Sequence, residues 1–456
     1  MARFDSKSHP GLFNDGIAPN WGLDKKFPHN FRKRRMVPHL VTALTGPINE
    51  LEQRILDSMP AIERWFRLEW MEHTPLFYSA VDVRNAGFKL APVDSDLFPR
   101  SWSNLTPSML PLAVQAAMAA IEKICPEARN LLIIPENNVR STLYLSNLAQ
   151  LRRIFHMAGL NVRIGSISPD LKKMTTIELP NGESVTLEPV VRTKGRLGVK
   201  DFDPCTILLN NDLRAGVPGI LEDLNEQFLL PPLHAGWPTR RKSTHFKCYE
   251  EVSKRFGKLI GVDPWLINPL FDKCGSIDFS SVEGMATLRA GVDALLGKIK
   301  KRYKEYGIKE KPFVVVKADD GSHGLGSITV RDTKELDTLR LEGEQVHDVI
   351  LQEGVLTNER MNDAVAEPVV YMMDRYVVGG FYRIHAERGA DEDLSAPGSS
   401  YVPLAFAEST HLPQPGVRPG ASAPNRFYMY GVIGRLAMLA ASYELEVTDP
   451  EAEHYA

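Results

Sequence analysis

Hydrophobic positions recur with two different periods along the chain. After Thr45-Gly46-Pro47, residues Ile48, Leu51, Ile55, Leu56 and Met59 fall three or four apart, the stripe of an amphipathic helix. Thr45 is its expected N-cap and Pro47 sits in its first turn. Beyond Pro60, Ile62, Trp65, Phe66 and Trp70 make a second stripe, read as core aromatics. Further on the pattern shortens. Leu131-Leu132-Ile133-Ile134 reads as a buried strand, Thr142 to Met157 as a helix capped by Gly159, and Asn161-Val162-Arg163-Ile164 as the returning strand of a βαβ unit. Alternating runs at Thr175–Leu179 and Ser184–Leu187 flank Pro180-Asn181-Gly182-Glu183, a hairpin signal. Thr206-Ile207-Leu208-Leu209 is another buried strand, ending at Asn210-Asn211-Asp212.

The texture changes near residue 230, where Pro231-Pro232 through Gly236-Trp237-Pro238 reads as loop. A long helical region with Lys-rich faces follows and ends near Tyr306-Gly307. Residues 311 to about 407 are strand-rich, and a last helix is expected from about Tyr428 to Glu446. The expected fold class is α/β. The expected parts are an N-terminal arm over residues 1–44, an α/β substrate-binding domain over 45–230 and a nucleotide-binding, catalytic domain over 231–456.

Composition narrows the function. The 456 residues are 43% hydrophobic and 24% charged, with a formal net charge of −3, as in a soluble globular chain with a large core. That balance argues against a protein that coats nucleic acid or an anionic membrane, since both need clustered cations. The basic run Arg32-Lys33-Arg34-Arg35 reads as a solvated arm. The apolar stretch Gly431 to Tyr443 carries Arg435 and is shorter than the ~20 residues of a membrane-spanning helix. No apolar signal core follows Met1, and a cytoplasmic location is expected. Cys125, Cys205, Cys248 and Cys274 show no CxxC spacing and are expected as free thiols, with no tightly bound zinc.

The chemistry concentrates at Pro312-Phe313-Val314-Val315-Val316-Lys317-Ala318-Asp319-Asp320-Gly321-Ser322-His323-Gly324-Leu325-Gly326-Ser327-Ile328-Thr329-Val330. A β-branched strand ends in a lysine, and a glycine loop leads into a second strand. Glycines let backbone N–H groups approach phosphate oxygens, and the lysine adds a point charge. A Rossmann or Walker loop would open a helix instead. Strand–loop–strand is the flap of protein kinases and ATP-grasp enzymes, and a ligand-free hairpin is the plain alternative. No HRD or DFG motif is present, which sets the kinase aside. Asp348 to Val355 is a strand running into a hinge, Gln352-Glu353-Gly354-Val355, where adenine would meet backbone groups. Ala366–Met373, Arg375–Val378 and Phe381–Ile384 are further strands, with a turn expected at Gly379-Gly380. Arg383 is placed to reach a transferring phosphate, or else to make a surface salt bridge.

With these pieces in view, the chain resembles the bacterial glutamate–cysteine ligase family that has an ATP-grasp-like nucleotide site, distinct from the ligases related to glutamine synthetase. The resemblance spans roughly Thr45 to Leu445. It is carried by Asp82-Val83-Arg84-Asn85-Ala86-Gly87-Phe88-Lys89-Leu90-Ala91-Pro92-Val93-Asp94, by Leu208 to Leu213, by Leu230-Pro231-Pro232 through Arg240-Arg241-Lys242-Ser243, and by the Lys317 loop. It implies a C-terminal ATP-grasp-like domain and formation of γ-glutamylcysteine from L-glutamate and L-cysteine, a peptide-bond-forming step of glutathione biosynthesis. ATP would activate a carboxylate as an acyl phosphate, the amine would displace phosphate, and ADP would be released. The expected cofactors are ATP and Mg²⁺. The expected partners are small-molecule amino-acid substrates, with no nucleic acid, no membrane and a possible homo-oligomer.

Roles follow residue by residue. Lys317 and Arg383 are the expected catalytic cations, and replacing either is expected to remove turnover with little change in melting temperature. Nucleotide contacts are expected from Lys242, Lys317, Gly321, Ser322, Gly324, Gly326, Gln352, Glu353, Gly354 and Val355. Arg84, Asn85, Lys89, Asp94 and Asn104 are expected to bind the amino acids, Asp94 or Asp96 holding an ammonium group; an internal salt-bridge network is the alternative. Mg²⁺ ligands are sought among Glu367, Asp374, Asp391, Asp393 and Glu408, because no late Glu-x-Asn is present. Arg100-Ser101-Trp102 stands where the family would carry small glycines and a phenylalanine, Asp320 and His323 are non-standard in the flap, and an asparagine is expected close to Asp393. These departures keep open a ligase of the same mechanism with another amino-acid or amine pair, and a nucleotide-binding protein without catalysis.

Overall fold

The apolar runs become strands because each side chain in them has a core to enter. The computed structural model describes residues 40–41, 46–137, 139, 141–321, 325–339, 341, 343–404 and 426–452. In chain order, β1 (Leu40–Val41) precedes α1 (Gly46–Asp57) and α2 (Met59–Glu72). The hairpin of β2 (Tyr78–Asn85) and β3 (Leu90–Asp96) leads to α3 (Leu110–Ile124). The βαβ unit is β4 (Asn130–Pro135), α4 (Thr142–Met157) and β5 (Asn161–Ser166). Two small antiparallel pairs follow: β6 (Thr175–Glu178) with β7 (Ser184–Pro189), and β8 (Val191–Thr193) with β9 (Arg196–Gly198). Next come β10 (Thr206–Asn210), β11 (Phe228–Leu230) and α5 (Lys242–Ile260). β12 (Phe271–Asp278), α6 (Val282–Glu305), β13 (Val314–Ala318), β14 (Ser327–Val330) and β15 (Val346–Glu353) form the next group. β16 (Glu359–Met361), β17 (Ala364–Met373), β18 (Tyr376–His385), β19 (Ser400–Pro403) and α7 (Arg426–Thr448) complete the described residues.

The strands make a mixed α/β architecture. A six-stranded sheet has the order β11-β10-β4-β5-β7-β6, parallel except at its β6 edge. Its central strands are apolar on both faces because both are covered. Leu132, Ile134, Ile207 and Leu209 enter one core with α2, α5 and α7, while Leu131, Ile133 and Leu208 enter another with α3 and α4. A seven-stranded antiparallel sheet centres on β17, which pairs with β18 on one side and with β16 and β2 on the other. Helix α7 is apolar on nearly every turn and lies against β17, β2 and α5. A four-stranded sheet, β12-β15-β13-β14, is covered by α6. The tip of the β2–β3 hairpin joins that third core, where Phe88 stacks on Trp265 at 6.2 Å and meets Tyr303 edge-on at 5.3 Å.

Several expectations change. The boundary near residue 230 falls within a unit that spans residues 38–456, because β2 and β17, from opposite sides of it, are hydrogen-bonded neighbours. The helical region before Tyr306 is interrupted by β12, whose Phe-Asp-Lys-Cys-Gly-Ser-Ile-Asp sequence carries no apolar alternation. The turn expected at Gly379-Gly380 lies instead at Asp374-Arg375, where Asp374 has φ +50°. Gly379 sits within β18 at φ +155°, and a Cβ there would come within 2.7 Å of Met109 Sδ. Leu40–Val41 of the expected arm pairs with β16. The rest of residues 1–44, the Thr45 cap, Ser322, His323, Gly324 and Glu408 lie outside the described residues. No helix among the described residues is long and apolar enough to cross a membrane.

Candidate functional site

Two antiparallel sheets contribute charged side chains to one cavity of about 440 Å³. Lys317 comes from β13, Asp82 from β2, Asp94 and Asp96 from β3, and Arg383 from β18. The register explains the grouping. Asp82 and Asp94 are direct cross-strand partners, Asp94 and Asp96 share a face two residues apart, and Arg383 is the cross-strand partner of Glu367. A narrower cavity of about 90 Å³ shares Asp82, Asp94, Lys317 and Asp393 with the first and continues to Gln352, Glu353 and Val355.

Lys317 Nζ donates to Val93 O at 2.9 Å and Gln352 Oε1 at 2.8 Å. Desolvation brings its ammonium pKa down to about 8, against the pull of Asp94. Lys242, the first residue of α5, donates to both Asp94 oxygens at 3.0 and 3.1 Å. Burial pushes Asp94 up, but Lys242 and Lys317 outweigh it and hold the carboxyl well below its usual range. The strand and helix are locked together. Asp319 accepts the Lys242 N–H through its carbonyl at 2.8 Å, and its carboxylate accepts the Ser243 N–H at 2.6 Å and the Ser243 hydroxyl at 2.7 Å. A buried carboxylate thus satisfies the orphan donors of the α5 N-terminus. Gly321 follows at φ +65°, so close to Trp237 that a Cβ would reach 2.4 Å from the indole.

Arg383 is gripped from two sides. Nη1 donates to Asp82 Oδ2 at 2.6 Å and to Glu367 Oε1 at 2.8 Å, and Nη2 to Asp82 Oδ1 at 3.2 Å. Burial raises Asp82 to about 6, with Arg383 opposing and Glu367 adding to the rise. Arg84 sits beyond, donating to Glu367 Oε2 at 2.8 Å, Val355 O at 3.2 Å and Glu392 O at 2.6 Å. Asp82–Arg383–Glu367–Arg84 is therefore a ladder of alternating charge. Asp393, held below its usual range by Ser395 and Lys317 against burial, lines both cavities.

The structure thus gathers Lys242, Lys317, Gly321, Gly326, Asp94, Asp393 and Arg383 on the larger cavity. Arg84, Gln352, Glu353, Val355, Glu367 and Asp391 line the smaller one. Gln352 Nε2 is buried without a hydrogen-bond partner among the described residues. Gly354 lies under Phe313, where a Cβ would meet the ring at 2.1 Å.

Four expected residues are elsewhere. Asn85 Oδ1 accepts the Gly87 N–H at 2.9 Å and shapes the hairpin turn. Lys89 is buried, donating to Glu353 Oε2 at 2.6 Å with Trp265 4.1 Å away, and desolvation lowers its pKa to about 8. Asn104 lies in a short 3₁₀ turn off the cavity wall. Asp374 pairs with Lys123 at 2.7 Å at the β17–β18 turn and is absent from both cavity linings. Asp391, in turn, is engaged by Arg331 Nε at 2.9 Å. Trp102 does not reshape the pocket as a wall residue. It is fully buried, edge-on to Tyr371 at 5.0 Å, and only Arg100 and Ser101 reach the cavity.

Asp82, Asp212 and Arg214 are cavity residues that the sequence reading did not single out. For Asp82 a signal existed: it is a charged side chain in an otherwise buried strand, Tyr78–Asn85. Among the described residues no group of three or more His, Cys, Asp or Glu is set to hold a metal. The carboxylates are instead matched by cations. Asp82 and Glu367 share the Arg383 guanidinium, and Glu367 also pairs with Arg84, so two guanidinium groups balance these two carboxylates.

A profile of the family described as glutamate-cysteine ligase, GshA, matches residues 52–445. A solved structure from Methylobacillus flagellatus KT, of a candidate gamma-glutamylcysteine synthetase, is 54% identical with a TM-score of 0.84, covering 91% of this chain and 100% of that one. A glutathione synthetase-like effector from Globodera pallida, in the apo form, aligns at 11% identity and a TM-score of 0.40 over 81% of this chain and 90% of that one, and carries no argument. The comparison with curated proteins gives no match.

Proposed function

The chain belongs to the glutamate-cysteine ligase family, ATP-dependent ligases, and from that premise we propose that it joins L-glutamate to L-cysteine through a γ-glutamyl phosphate. The observation that carries the reading is the convergence of Lys317, Lys242 and Arg383 on one cavity between two β layers. The arrangement is ATP-grasp-like. The four-stranded sheet carries the glycine flap between β13 and β14, and the seven-stranded sheet supplies Arg383 and the carboxylates. The nucleotide lies from the Gln352–Val355 hinge to Lys317, and the unpaired Gln352 Nε2 offers it a donor.

A glutamate γ-carboxylate oxygen attacks the γ-phosphorus, the bond to the β-phosphate oxygen breaks, and ADP leaves. The cysteine ammonium group first loses a proton to solvent, the amine attacks the acyl carbon, and the second nitrogen proton leaves with the departing phosphate. The carbon–oxygen bond to phosphate breaks, giving the amide and inorganic phosphate. Lys317 and Lys242 offset charge on the transferring group, and Arg383 reaches it from the opposite sheet. Gly321, Gly326 and Trp237 line the cavity and limit access of the water that would hydrolyse the acyl phosphate. Mg²⁺ suits the oxygen donors present, because it needs only one or two carboxylates beside phosphate oxygens and water. Asp393, which lines both cavities, would hold it, and it would neutralise phosphate charge. ADP release is measured with Mg-ATP and L-glutamate, with and without L-cysteine. Cysteine-dependent release with a product of γ-glutamylcysteine mass is expected. Silence with this pair but turnover with another acid or amine would replace the substrates and keep the mechanism.

A further inference from the structure

One part of the larger cavity lies against the parallel sheet, joined to Gly321 through Trp237, whose backbone N–H donates to Asp212 O at 3.1 Å. In the order β11-β10-β4-β5, the chain leaves β4 towards β5 on one side and β10 towards β11 on the other. The boundary between β10 and β4 is therefore a topological switch point, where open α/β sheets form a crevice beyond the strand C-termini. Glu136 directly follows β4, and Asp212 lies two residues past β10. Arg100 faces both, 3.8 Å from Glu136 Oε1 and 3.8 Å from Asp212 Oδ2, too far for hydrogen bonds. Arg214 pairs with Asp212 at 3.0 Å. Arg100, Asp212 and Arg214 line the larger cavity but not the hinge cavity.

The backbone that presents Arg100 is held firmly. Pro99 O accepts from Trp102 Nε1 at 3.0 Å and from Asn210 Nδ2 at 3.0 Å, and Arg100 O accepts from the Tyr371 hydroxyl. A fixed backbone thus carries a guanidinium whose fork makes no hydrogen bond to either nearby carboxylate. Arg100 and Arg214 stand among three carboxylates, Asp96, Glu136 and Asp212, an excess of negative charge that disfavours a polyphosphate and suits a ligand bearing both charges.

We propose that the switch-point crevice is a subsite for an α-amino-acid substrate, Arg100 taking its α-carboxylate and Asp212 with Glu136 its α-ammonium group. The proposal rests on the ligase reading and adds where one of the two amino acids is read. Steady-state kinetics of the full chain and of Arg100→Ala test it with L-glutamate or its α-amide, L-isoglutamine, and with L-cysteine or L-cysteinamide. One amino acid should show a KM raised about 10- to 100-fold in Arg100→Ala, with KM for ATP changed less than twofold. For that amino acid the unmodified chain should prefer the free acid over the amide, and Arg100→Ala should lose the preference. Loss confined to the glutamate pair assigns the crevice to the acid substrate, and loss confined to the cysteine pair assigns it to the amine substrate. Arg100→Lys, which keeps charge without the fork, should fall between. Unchanged KM values, or an acid-over-amide preference that survives Arg100→Ala, overturn the proposal. If the unmodified chain releases no ADP with glutamate and cysteine, the substrate reading fails separately. Calorimetric binding of a panel of α-amino acids then decides: at least tenfold weaker binding to Arg100→Ala supports the crevice, and equal binding overturns it.

Discussion

The two ends of the cavity hold their charges in opposite ways. At the end walled by the two antiparallel sheets Arg383 is clamped by Asp82 at 2.6 Å and Glu367 at 2.8 Å, and its side chain is only 14% exposed. At the switch-point end Arg100 stands 3.8 Å from its nearest carboxylates and is 47% exposed. The first cation is hydrogen-bonded into the folded structure; the second is held by its backbone and by longer ion pairs without hydrogen bonds. A clamped cation is preorganised but must be supplied with compensating charge before it can leave its partners. An unclamped one can take a ligand at once, and its removal leaves the fold intact. The contrast separates residues whose loss damages stability and chemistry together from residues whose loss touches binding alone.

The largest expected effect comes from breaking the clamp. Arg383→Ala leaves Asp82 and Glu367 facing each other in a part-buried wall, a loss of about 3–5 kcal/mol by analogy with other buried pairs. The sequence reading expected the variant to keep its melting temperature; the clamp predicts a fall instead. Thermal unfolding should show a large downward shift for Arg383→Ala, whereas Arg100→Ala stays within about 0.5 kcal/mol of the unmodified chain. Equal shifts in the two variants would erase the comparison.

Lys317→Ala sharpens it from the other side. Lys317 is a cavity cation whose charge is disfavoured by desolvation. Its removal should cost about 10²–10³ in kcat, typical of losing one preorganised donor to a developing charge, with no loss of stability near neutral pH. Linkage gives the sign: the folded pKa lies below the unfolded one, so the unfolded chain binds more protons between about 8 and the usual lysine value, and this group's contribution to stability rises with pH across that window. A clear fall in melting temperature at pH 7 would contradict the assignment.

The pH profile of kcat/KM for ATP reads the same end in the free enzyme. Turnover should rise as Asp82 ionises near 6 and restores the clamp on Arg383, then fall as Lys317 deprotonates near 8. Each limb approaches tenfold per pH unit. Asp82→Asn should flatten the acid limb and leave the alkaline one in place. Asp82 has a raised pKa, so its stability contribution declines as pH rises from its usual value towards about 6. A profile with no inflection between pH 5 and 9 would remove both groups from the rate-limiting chemistry.

How much of this was legible from residues alone follows from where each partner sits. The βαβ unit could be read because β4, α4 and β5 carry strong local periods, and the observed helix spans Thr142–Met157 as expected. β12 could not, since Phe271–Asp278 buries only Ile277 fully and bends at a register shift between Lys273 and Gly275. Gly379-Gly380 looked like a turn because paired glycines usually are one; the requirement at Gly379 comes from Met109 on a distant segment. Lys317 announced itself through the strand and glycines beside it. Arg84 and Lys89 looked equally suited to substrate carboxylates, yet their partners Glu367 and Glu353 lie 283 and 264 residues away. No local pattern reveals a partner at that separation. The same limit hid the clamp, because Asp82 meets Arg383 across 301 residues.

The smallest expected effect belongs to a carboxylate that lies on neither end. Asp374 occupies the β17–β18 turn at φ +50° and pairs with the half-exposed Lys123 at 2.7 Å. Asparagine tolerates the left-handed conformation and keeps one acceptor for the lysine. Asp374→Asn should therefore leave kcat and every KM within twofold, and lower the melting temperature only slightly, since one ion-pair partner is half-exposed to water. A tenfold loss of turnover, or a changed Mg²⁺ dependence, would return Asp374 to the metal-binding set and place a third charged region beside the two compared here.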